Sequence, residues 1–123
     1  IRLRGSEPVI NVGNLAPERD FTDVRDVARA YRLLAEVGRP GQPYLICSGK
    51  PVSIRTVLET LIEISGVEVD IQVDEQRVNP SDTPCIYGSY AKMESDTGWQ
   101  PRIPLRQSLS DALADWESRL STL

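Results

Sequence analysis

Two short apolar runs, each followed by a helical pattern, restrict this chain to a layered fold of strands and helices. Residues 9–12 and 44–47 have the length and composition of buried strands. The helical patterns that follow them cover residues 23–37 and 53–65. Strands that are apolar on both faces are typical of a parallel sheet that is covered on both sides. The sequence therefore predicts an α/β fold with two parallel strands and two helices packed against them.

An arginine lies just before the predicted first helix, in a position that suits the binding of an anion. Thr22 or Asp23 can cap this helix, and Asp23 and Asp26 place negative charge at the positive end of its dipole. Arg19 comes just before the capped helix, after a loop that contains a proline. A planar guanidinium there suits a phosphate or carboxylate ligand. The alternative is a surface ion pair between Arg19 and a nearby aspartate, which local chemistry alone favours because such pairs are common.

The second half of the chain contains one alternating strand, a proline-rich stretch and two further helices. Residues 67–73 alternate between apolar and polar side chains, which predicts a strand with one solvent-facing side. Residues 77–84 have no periodicity, and their prolines favour an extended backbone. Ser89 is the predicted cap of a short helix that runs to Asp96. A last helix opens at Pro104, and we interpret its apolar stripe as core packing, with Trp116 as the residue that tests this.

Composition places the chain among single globular domains and removes several classes of function. It has 123 residues, of which 40% are hydrophobic and 26% charged, and its net charge is −4. No basic stripe is present, which argues against a nucleic-acid partner. No apolar run approaches the roughly 20 residues of a membrane span, and no signal peptide opens the sequence, so we expect a cytoplasmic protein without a membrane partner. Cys47 and Cys85 stand alone, and we predict that both are buried and reduced.

The sequence contains no self-sufficient active site. A dinucleotide-binding loop needs closely spaced glycines after a strand, and no such triplet occurs. None of the four tyrosines has a lysine one helical turn later, so this acid–base pair is missing. The carboxylate pairs at Asp23/Asp26 and Asp111/Asp115 are explained by capping and by a solvated helix face. Histidine is absent, which removes histidine triads and most zinc sites. We therefore predict no catalytic residue, no metal and no cofactor site in this chain.

Five segments together form a pattern that is more specific than any one of them. They are Gly13-Asn14-Leu15, Arg19-Asp20-Phe21-Thr22-Asp23-Val24-Arg25-Asp26-Val27, Tyr44-Leu45-Ile46-Cys47-Ser48-Gly49, residues 77–84 and Thr97-Gly98-Trp99-Gln100-Pro101. This pattern resembles the C-terminal part of an extended short-chain dehydrogenase/reductase, over about residues 8–116. Within that class it is most similar to the group of GDP-mannose 4,6-dehydratase and GDP-4-keto-6-deoxy-mannose reductase. Residues 19–27 look more like the reductase.

The resemblance implies an α/β fold that is the C-terminal fragment of an extended NAD(P)-binding Rossmann-fold enzyme. Residues 1–123 would then be a single partial domain, made of the last Rossmann strands and the nucleotide-sugar-binding lobe. The cofactor NAD(P) and the catalytic tyrosine and lysine would belong to an absent N-terminal half. The implied partners are a GDP-sugar or another nucleotide sugar and further copies of the same chain. Alone, the chain would be inactive.

The resemblance also implies roles for five residues in substrate binding. Arg19 matches an arginine that contacts the nucleotide diphosphate, and Asp82 falls where the family has an acidic residue on the ribose hydroxyls. Asn79 stands where the family usually has an arginine, so it can donate a hydrogen bond but brings no charge. Arg77 can reach the phosphate instead if the loop bends suitably, and Asn14 completes the set. The alternative for Arg77 and Asp82 is a solvated loop.

A second function class stays open at this point. The chain can be an autonomous nucleotide-sugar-binding or protein-interaction domain without catalysis. Its first residue, Ile1, is not methionine, which favours the fragment of a longer enzyme. The intact mass of the purified protein, or the reading frame upstream of Ile1, distinguishes the two.

Overall fold

The computed structural model describes residues 5–78 and 83–122, which form a mixed α/β arrangement of strands and helices. Its elements are β1 (Val9–Val12), β2 (Glu18–Asp20), α1 (Val24–Val37), β3 (Pro51–Ser53), α2 (Ile54–Ser65), β4 (Asp70–Val73), a 3₁₀ turn (Glu75–Arg77), β5 (Cys85–Ile86), α3 (Ala91–Thr97) and α4 (Leu105–Ser121). They belong to two compact units. The first unit comprises Ile1–Pro17, Ser53–Pro84 and Arg106–Leu123, and the second comprises Glu18–Val52 and Cys85–Leu105.

The sheet of the first unit consists of two parallel strands. β1 pairs with β4 in a register that sets Val9 opposite Asp70 and Val12 opposite Val73. The backbone N–H of Asp74 extends the pairing by donating to the carbonyl of Val12 at 2.8 Å. The predicted strand at residues 9–12 is confirmed, while the alternating segment forms a strand only from Asp70 onward. Because the two strands are parallel, the loops that follow them begin at the same edge of the sheet.

Helix α2 of the first unit begins as its sequence predicts. The Ser53 hydroxyl accepts a hydrogen bond from the backbone N–H of Thr56 at 3.0 Å, which caps the first turn. The first two N–H groups of the helix donate to the carbonyls of Pro17 and Leu15, each at 3.0 Å. These bonds satisfy donors that have no partner inside a helix. They also attach the 15–17 loop, whose Leu15 is 6% exposed, to the start of α2.

The second unit holds a three-stranded sheet with β2 in the middle and β3 and β5 on its two sides. β2 and β5 are parallel, with Glu18 opposite Cys85 and Arg19 opposite Ile86. α1 follows β2 after three residues, and Asp23 caps it by accepting from the backbone N–H of Arg25 at 2.9 Å. The predicted cap and helix are therefore confirmed.

The core of the second unit forms around one tryptophan. Trp99, Met93 and Ala30 have no exposed surface, and they pack α3 and the segment after it against α1. The Trp99 ring meets that of Tyr90 edge to face, with centroids 5.7 Å apart. Its indole nitrogen donates to the backbone carbonyl of Asp26 at 3.0 Å, so the only polar group of this side chain is satisfied.

The prediction of a strand at residues 44–47 is wrong. These residues have no strand assignment, and the three strands of the second unit's sheet lie elsewhere in the sequence. A strand is defined by backbone hydrogen bonds to a neighbouring strand, and none within residues 5–78 and 83–122 pairs with this run. Apolar composition identified a segment that can be buried on both faces, but it does not reveal whether a neighbouring strand pairs with that segment. Leu45 is accordingly 62% exposed.

The apolar side chains of α1 and α4 are only partly buried. On α1, Val24 and Tyr31 are 76% and 64% exposed, whereas Asp26 and Ala30 face the core. On α4, Trp116 is 61% exposed, so the interpretation of its stripe as core packing is wrong for that residue. An apolar stripe shows which side of a helix can be buried, not which neighbour covers it. Of the helices in the described part of the chain, none has the length and apolar character required to span a bilayer.

The prediction that both cysteines are buried is also wrong. Cys85, on the two-residue strand β5, is exposed, and Cys47 is half-buried; both are free thiols. β5 is an edge strand of the second unit's sheet.

Candidate functional site

Two of the predicted binding residues lie at the edge of the first unit's sheet where β1 and β4 end. Asn14 comes two residues after β1, and Arg77 ends the 3₁₀ turn that follows β4. In open α/β sheets, ligands bind at the carboxyl ends of parallel strands. This edge is therefore the candidate binding site of the first unit.

Glycine at position 13 allows the two loops of this edge to approach each other. A Cβ atom placed on Gly13 would lie 2.7 Å from the carbonyl oxygen of Arg77, which is too close for any side chain. The turn after β4 therefore packs directly on the backbone after β1. The position of Arg77 relative to Asn14 is thus set by backbone contact.

The two side chains at this edge differ in how they are held. The Asn14 Oδ1 atom accepts from the backbone N–H of Ala16 at 3.1 Å, which leaves the amide nitrogen as the group that can donate to a ligand. The Arg77 side chain is 62% exposed, and its Nε lies 3.2 Å from an Asp74 carboxylate oxygen. Its Nη1 donates to the carbonyl of Asn11 at 3.4 Å. This edge of the sheet therefore presents the positive charge of Arg77, whose exposed side chain is held by Asp74 and by the carbonyl of Asn11.

Arg19 belongs to the second unit, at the centre of β2. It is half-buried, and its Nη1 donates to the backbone carbonyl of Glu18 at 2.7 Å. α1 begins four residues after β2 ends, so Arg19 lies shortly before the capped helix, as the sequence indicated. Asn79 and Asp82 lie outside the described residues. The structure thus brings Asn14 and Arg77 together in the first unit and sets Arg19 in the other.

Asp20 is an anchoring residue that the sequence analysis missed. Its carboxylate accepts from the backbone N–H and the hydroxyl of Ser48, at 2.7 and 2.6 Å, and from the N–H groups of Gly49 and Gly88, at 2.9 and 3.3 Å. Partial burial raises the pKa of Asp20, but these hydrogen bonds outweigh it and hold the pKa below its ordinary value. The only local signal was its place beside Arg19, because its partners are far away in the sequence.

Asp26 is a second carboxylate that holds distant segments together, although the sequence analysis explained its presence by helix capping alone. It is 2% exposed, and its carboxylate accepts from Arg29 at 2.6 Å and from the backbone N–H groups of Arg102 and Ile103 at 2.8 and 2.9 Å. Burial raises the pKa of Asp26, but the bonds from Ile103, Arg29 and Arg102 hold it below its ordinary value. Asp26 therefore remains charged while it connects the start of α1 to the segment before α4.

Neither cysteine is activated as a nucleophile. Burial raises the pKa of Cys47, and the negative charge of Asp20 raises it further. The pKa of Cys85 is raised by desolvation and by a hydrogen bond to the carboxylate of Glu18, which outweigh the nearby positive charge of Arg19. Both thiols are therefore protonated at neutral pH, and a thiol is a poor nucleophile and metal ligand.

Other surface features of the described residues add no second candidate. No group of three or more acidic, cysteine or histidine side chains within residues 5–78 and 83–122 could hold a metal ion. A depression between α2 and α4 of the first unit is lined by Glu63, Ile64, Arg106, Gln107 and Ser110. Arg106 and Glu63 form a two-bonded ion pair there, at 2.9 and 3.0 Å, and both side chains are more than half exposed.

Comparison with known proteins decides the family. Residues 2–112 match the family model described as GDP-mannose 4,6 dehydratase. The chain belongs to this family. The resemblance that the five sequence segments indicated is thereby confirmed.

Relatives of known activity agree with the family. The chain is 40% identical over 111 residues to the GDP-6-deoxy-D-mannose reductase of Pseudomonas aeruginosa, an alignment that covers 90% of this chain and 36% of the reductase. It is 32% identical over 115 residues to GDP-L-fucose synthase 1 of Arabidopsis thaliana, which covers 94% of this chain and 34% of the synthase. The chain therefore spans about a third of the length of these relatives.

Solved structures of similar proteins have the same fold over about a third of their length. The RMD protein of Pseudomonas aeruginosa, in complex with NADPH, superposes with a TM-score of 0.87 at 38% identity, over 93% of this chain and 37% of that one. A UDP-glucose 4-epimerase of Thermotoga maritima, with UDP-glucose, gives a TM-score of 0.82 at 25% identity, over 96% and 37%. The predicted fold class, part of an extended NAD(P)-binding Rossmann-type enzyme, is confirmed.

Proposed function

We propose that this chain is the nucleotide-sugar-binding part of an NAD(P)-dependent GDP-hexose reductase or dehydratase of GDP-deoxyhexose biosynthesis. The observation that carries the proposal is the 40% identity to a GDP-6-deoxy-D-mannose reductase across 90% of this chain. The greater likeness of residues 19–27 to the reductase favours that activity over dehydration. We further propose that the chain is one partial domain of the intact enzyme, and that the enzyme is cytoplasmic.

In this proposal, five residues bind the nucleotide sugar. Arg19 contacts the diphosphate, for which its planar, permanently charged guanidinium is suited. Asp82 accepts from the ribose hydroxyls, and Asn79 donates to a phosphate oxygen. Arg77 supplies the charge that Asn79 lacks, which its exposed position at the edge of the β1–β4 sheet supports. Asn14, at the same edge, donates through its amide nitrogen.

We assign NAD(P) to the intact protein and not to this chain. A dinucleotide site needs a glycine-rich loop between a strand and a helix, where backbone N–H groups reach the pyrophosphate. Here β1 is followed by the single glycine Gly13, whose Cα faces the carbonyl of Arg77 instead of an open crevice. β2 leads to α1 through residues 21–23, which contain no glycine. The role of this chain is therefore to bind and orient the substrate.

The proposal predicts that the isolated chain has no turnover. Chain and intact protein are assayed side by side, for NADPH consumption with a GDP-4-keto-6-deoxyhexose and for loss of GDP-mannose. We expect turnover by the intact protein only, because no residue in this chain can take the acid–base role. Turnover by a chain of verified purity and mass would overturn the assignment of catalysis to the rest of the protein. Inactivity of the intact protein with every GDP-sugar tested would overturn the function itself.

We also propose that the protein self-associates. Large apolar side chains in both units are more than half exposed, among them Tyr31, Leu45 and Trp116. Exposed apolar surface and unpaired strand edges promote association with another chain. Sedimentation velocity of the isolated chain over a hundredfold range of concentration should show a dimer or larger species at the upper end. A single monomeric species throughout would contradict this prediction.

A further inference from the structure

We propose that Asp20 is a positioning residue for Arg19: its carboxylate holds the two flanking strands against β2, so that the neighbouring guanidinium keeps the place required to bind a diphosphate. This inference rests on the proposed function, in which Arg19 is the diphosphate ligand. It adds a role for a residue that need not touch the substrate.

The contacts of Asp20 lie on both sides of its strand. Ser48 and Gly49 come three and two residues before β3, and Gly88 comes two residues after the end of β5. β2 lies between these two strands. One carboxylate therefore accepts four hydrogen bonds from the segments that flank β3 and β5.

Two glycines allow these segments to reach the carboxylate. Gly49 has a φ of +75°, a conformation that other residues rarely adopt. A Cβ on Gly88 would lie 2.9 Å from the sulfur of Cys47, so a side chain there would force the segment to shift. Glycine at these two positions thus favours the close approach of their backbone N–H groups to the Asp20 carboxylate.

The sheet needs such an anchor because its strands are very short. β2 and β3 have three residues each and β5 has two, so few ladder hydrogen bonds fix their register. A slip of one residue would turn every side chain of β2 to the opposite face. Arg19 and Asp20 are consecutive and point to opposite faces, so fixing one of them fixes the other.

Charge is necessary for this anchoring. The carboxylate presents acceptors only, all four groups that contact it donate to it, and its lowered pKa keeps it ionised at neutral pH. Asp20→Asn keeps the size of the side chain but turns an NH₂ group, itself a donor, toward backbone N–H groups. At least one of these donors then loses its partner.

The test is a double-mutant cycle on the intact protein, with GDP as the probe in calorimetric titrations at a temperature well below each variant's melting point. We expect Asp20→Asn to weaken GDP binding about tenfold when Arg19 is present. In the Arg19→Ala background, Asp20→Asn should not weaken GDP binding further, because Asp20 is proposed to influence GDP only by positioning the Arg19 side chain. A loss of folded protein would instead lower binding by the same factor in both backgrounds.

Asp26→Asn is the matched control, because Asp26 is another carboxylate of the second unit that accepts backbone hydrogen bonds, and it holds a different segment. Its effect on GDP affinity should be the same with and without Arg19. Ser48→Ala removes a single bond to Asp20 and provides a milder variant if Asp20→Asn does not fold. It should show the same dependence on Arg19 with a smaller effect.

Each possible result either supports or overturns the positioning role of Asp20. If Asp20→Asn and Ser48→Ala leave GDP affinity unchanged while Arg19→Ala weakens it, Asp20 has no positioning role and the proposed function stands. Equal effects of Asp20→Asn in both backgrounds would likewise overturn the positioning role. If Arg19→Ala itself binds GDP normally, the assignment of the diphosphate site fails and the positioning role fails with it.

Discussion

Replacing Arg19 with alanine should weaken GDP binding by the intact protein about ten- to a hundredfold. A hydrogen bond to a charged group contributes roughly 1.5–3 kcal/mol, and each 1.4 kcal/mol or so corresponds to a factor of ten in affinity. Arg19→Lys should restore only part of the loss, because an ammonium cannot bridge two phosphate oxygens as a planar fork does. Isothermal titration of GDP into the protein and both variants provides the measurement.

Arg32→Ala is the control for this experiment. Arg32 lies on α1 of the same unit, its side chain is 68% exposed, and its ion pair with Glu36 at 3.6 Å is a surface contact. The variant removes the same charge from the protein and should bind GDP normally. Thermal melts of all variants separate binding from unfolding. Equal affinities for Arg19→Ala and the unaltered protein would mean that Arg19 has a structural role only.

Trp99→Ala should lower the free energy of unfolding by about 3–5 kcal/mol, the usual cost of removing a buried aromatic side chain. The indole is fully buried against Met93 and Ala30, so its removal leaves a cavity in the centre of the second unit. It also removes the hydrogen bond to the Asp26 carbonyl. Because small proteins have only about 5–15 kcal/mol of stability, a large part would be lost.

Urea unfolding followed by circular dichroism measures this effect, and the other tryptophan provides the control. Trp116→Ala removes the same side chain at a site that is 61% exposed, so it should change stability by only about 0.5 kcal/mol. Trp99→Phe keeps most of the volume and should lie between the two. Equal losses at positions 99 and 116 would contradict the described core.

The N-terminal ends of α1 and α2 could be predicted because the capping residues that mark them act locally. Asp23 and Ser53 bond to N–H groups two and three residues further along the chain, so residue type and spacing carry the information. β1 was also recognisable from its apolar run. The structure of residues 44–47 could not be recognised in this way, because strand formation depends on a neighbouring strand that composition does not reveal.

The anchoring roles of Asp20 and Asp26 could not be predicted for a related reason. Except for Arg29, three residues from Asp26, their partners lie 28 to 77 residues away, and most are backbone N–H groups, which every residue except proline has. No pattern of side chains therefore marks them. For the candidate site, the sequence indicated Asn14 and Arg77 by family resemblance, and the parallel pairing of β1 with β4 explains physically why they share an edge. The roles of all five binding residues remain predictions.

The interleaving of the two units along the chain has a consequence for biosynthesis. Both units are assembled from separate stretches, and the stretches alternate, so no continuous piece of the sequence consists of one unit alone. On the ribosome, the second unit has all of its residues once Leu105 has emerged, whereas the first must wait for α4. Within the first unit, β1 and β4 can pair only by closing the long loop between them, which is entropically costly. A gene rearrangement therefore cannot transfer one unit as a single block and leave the other intact.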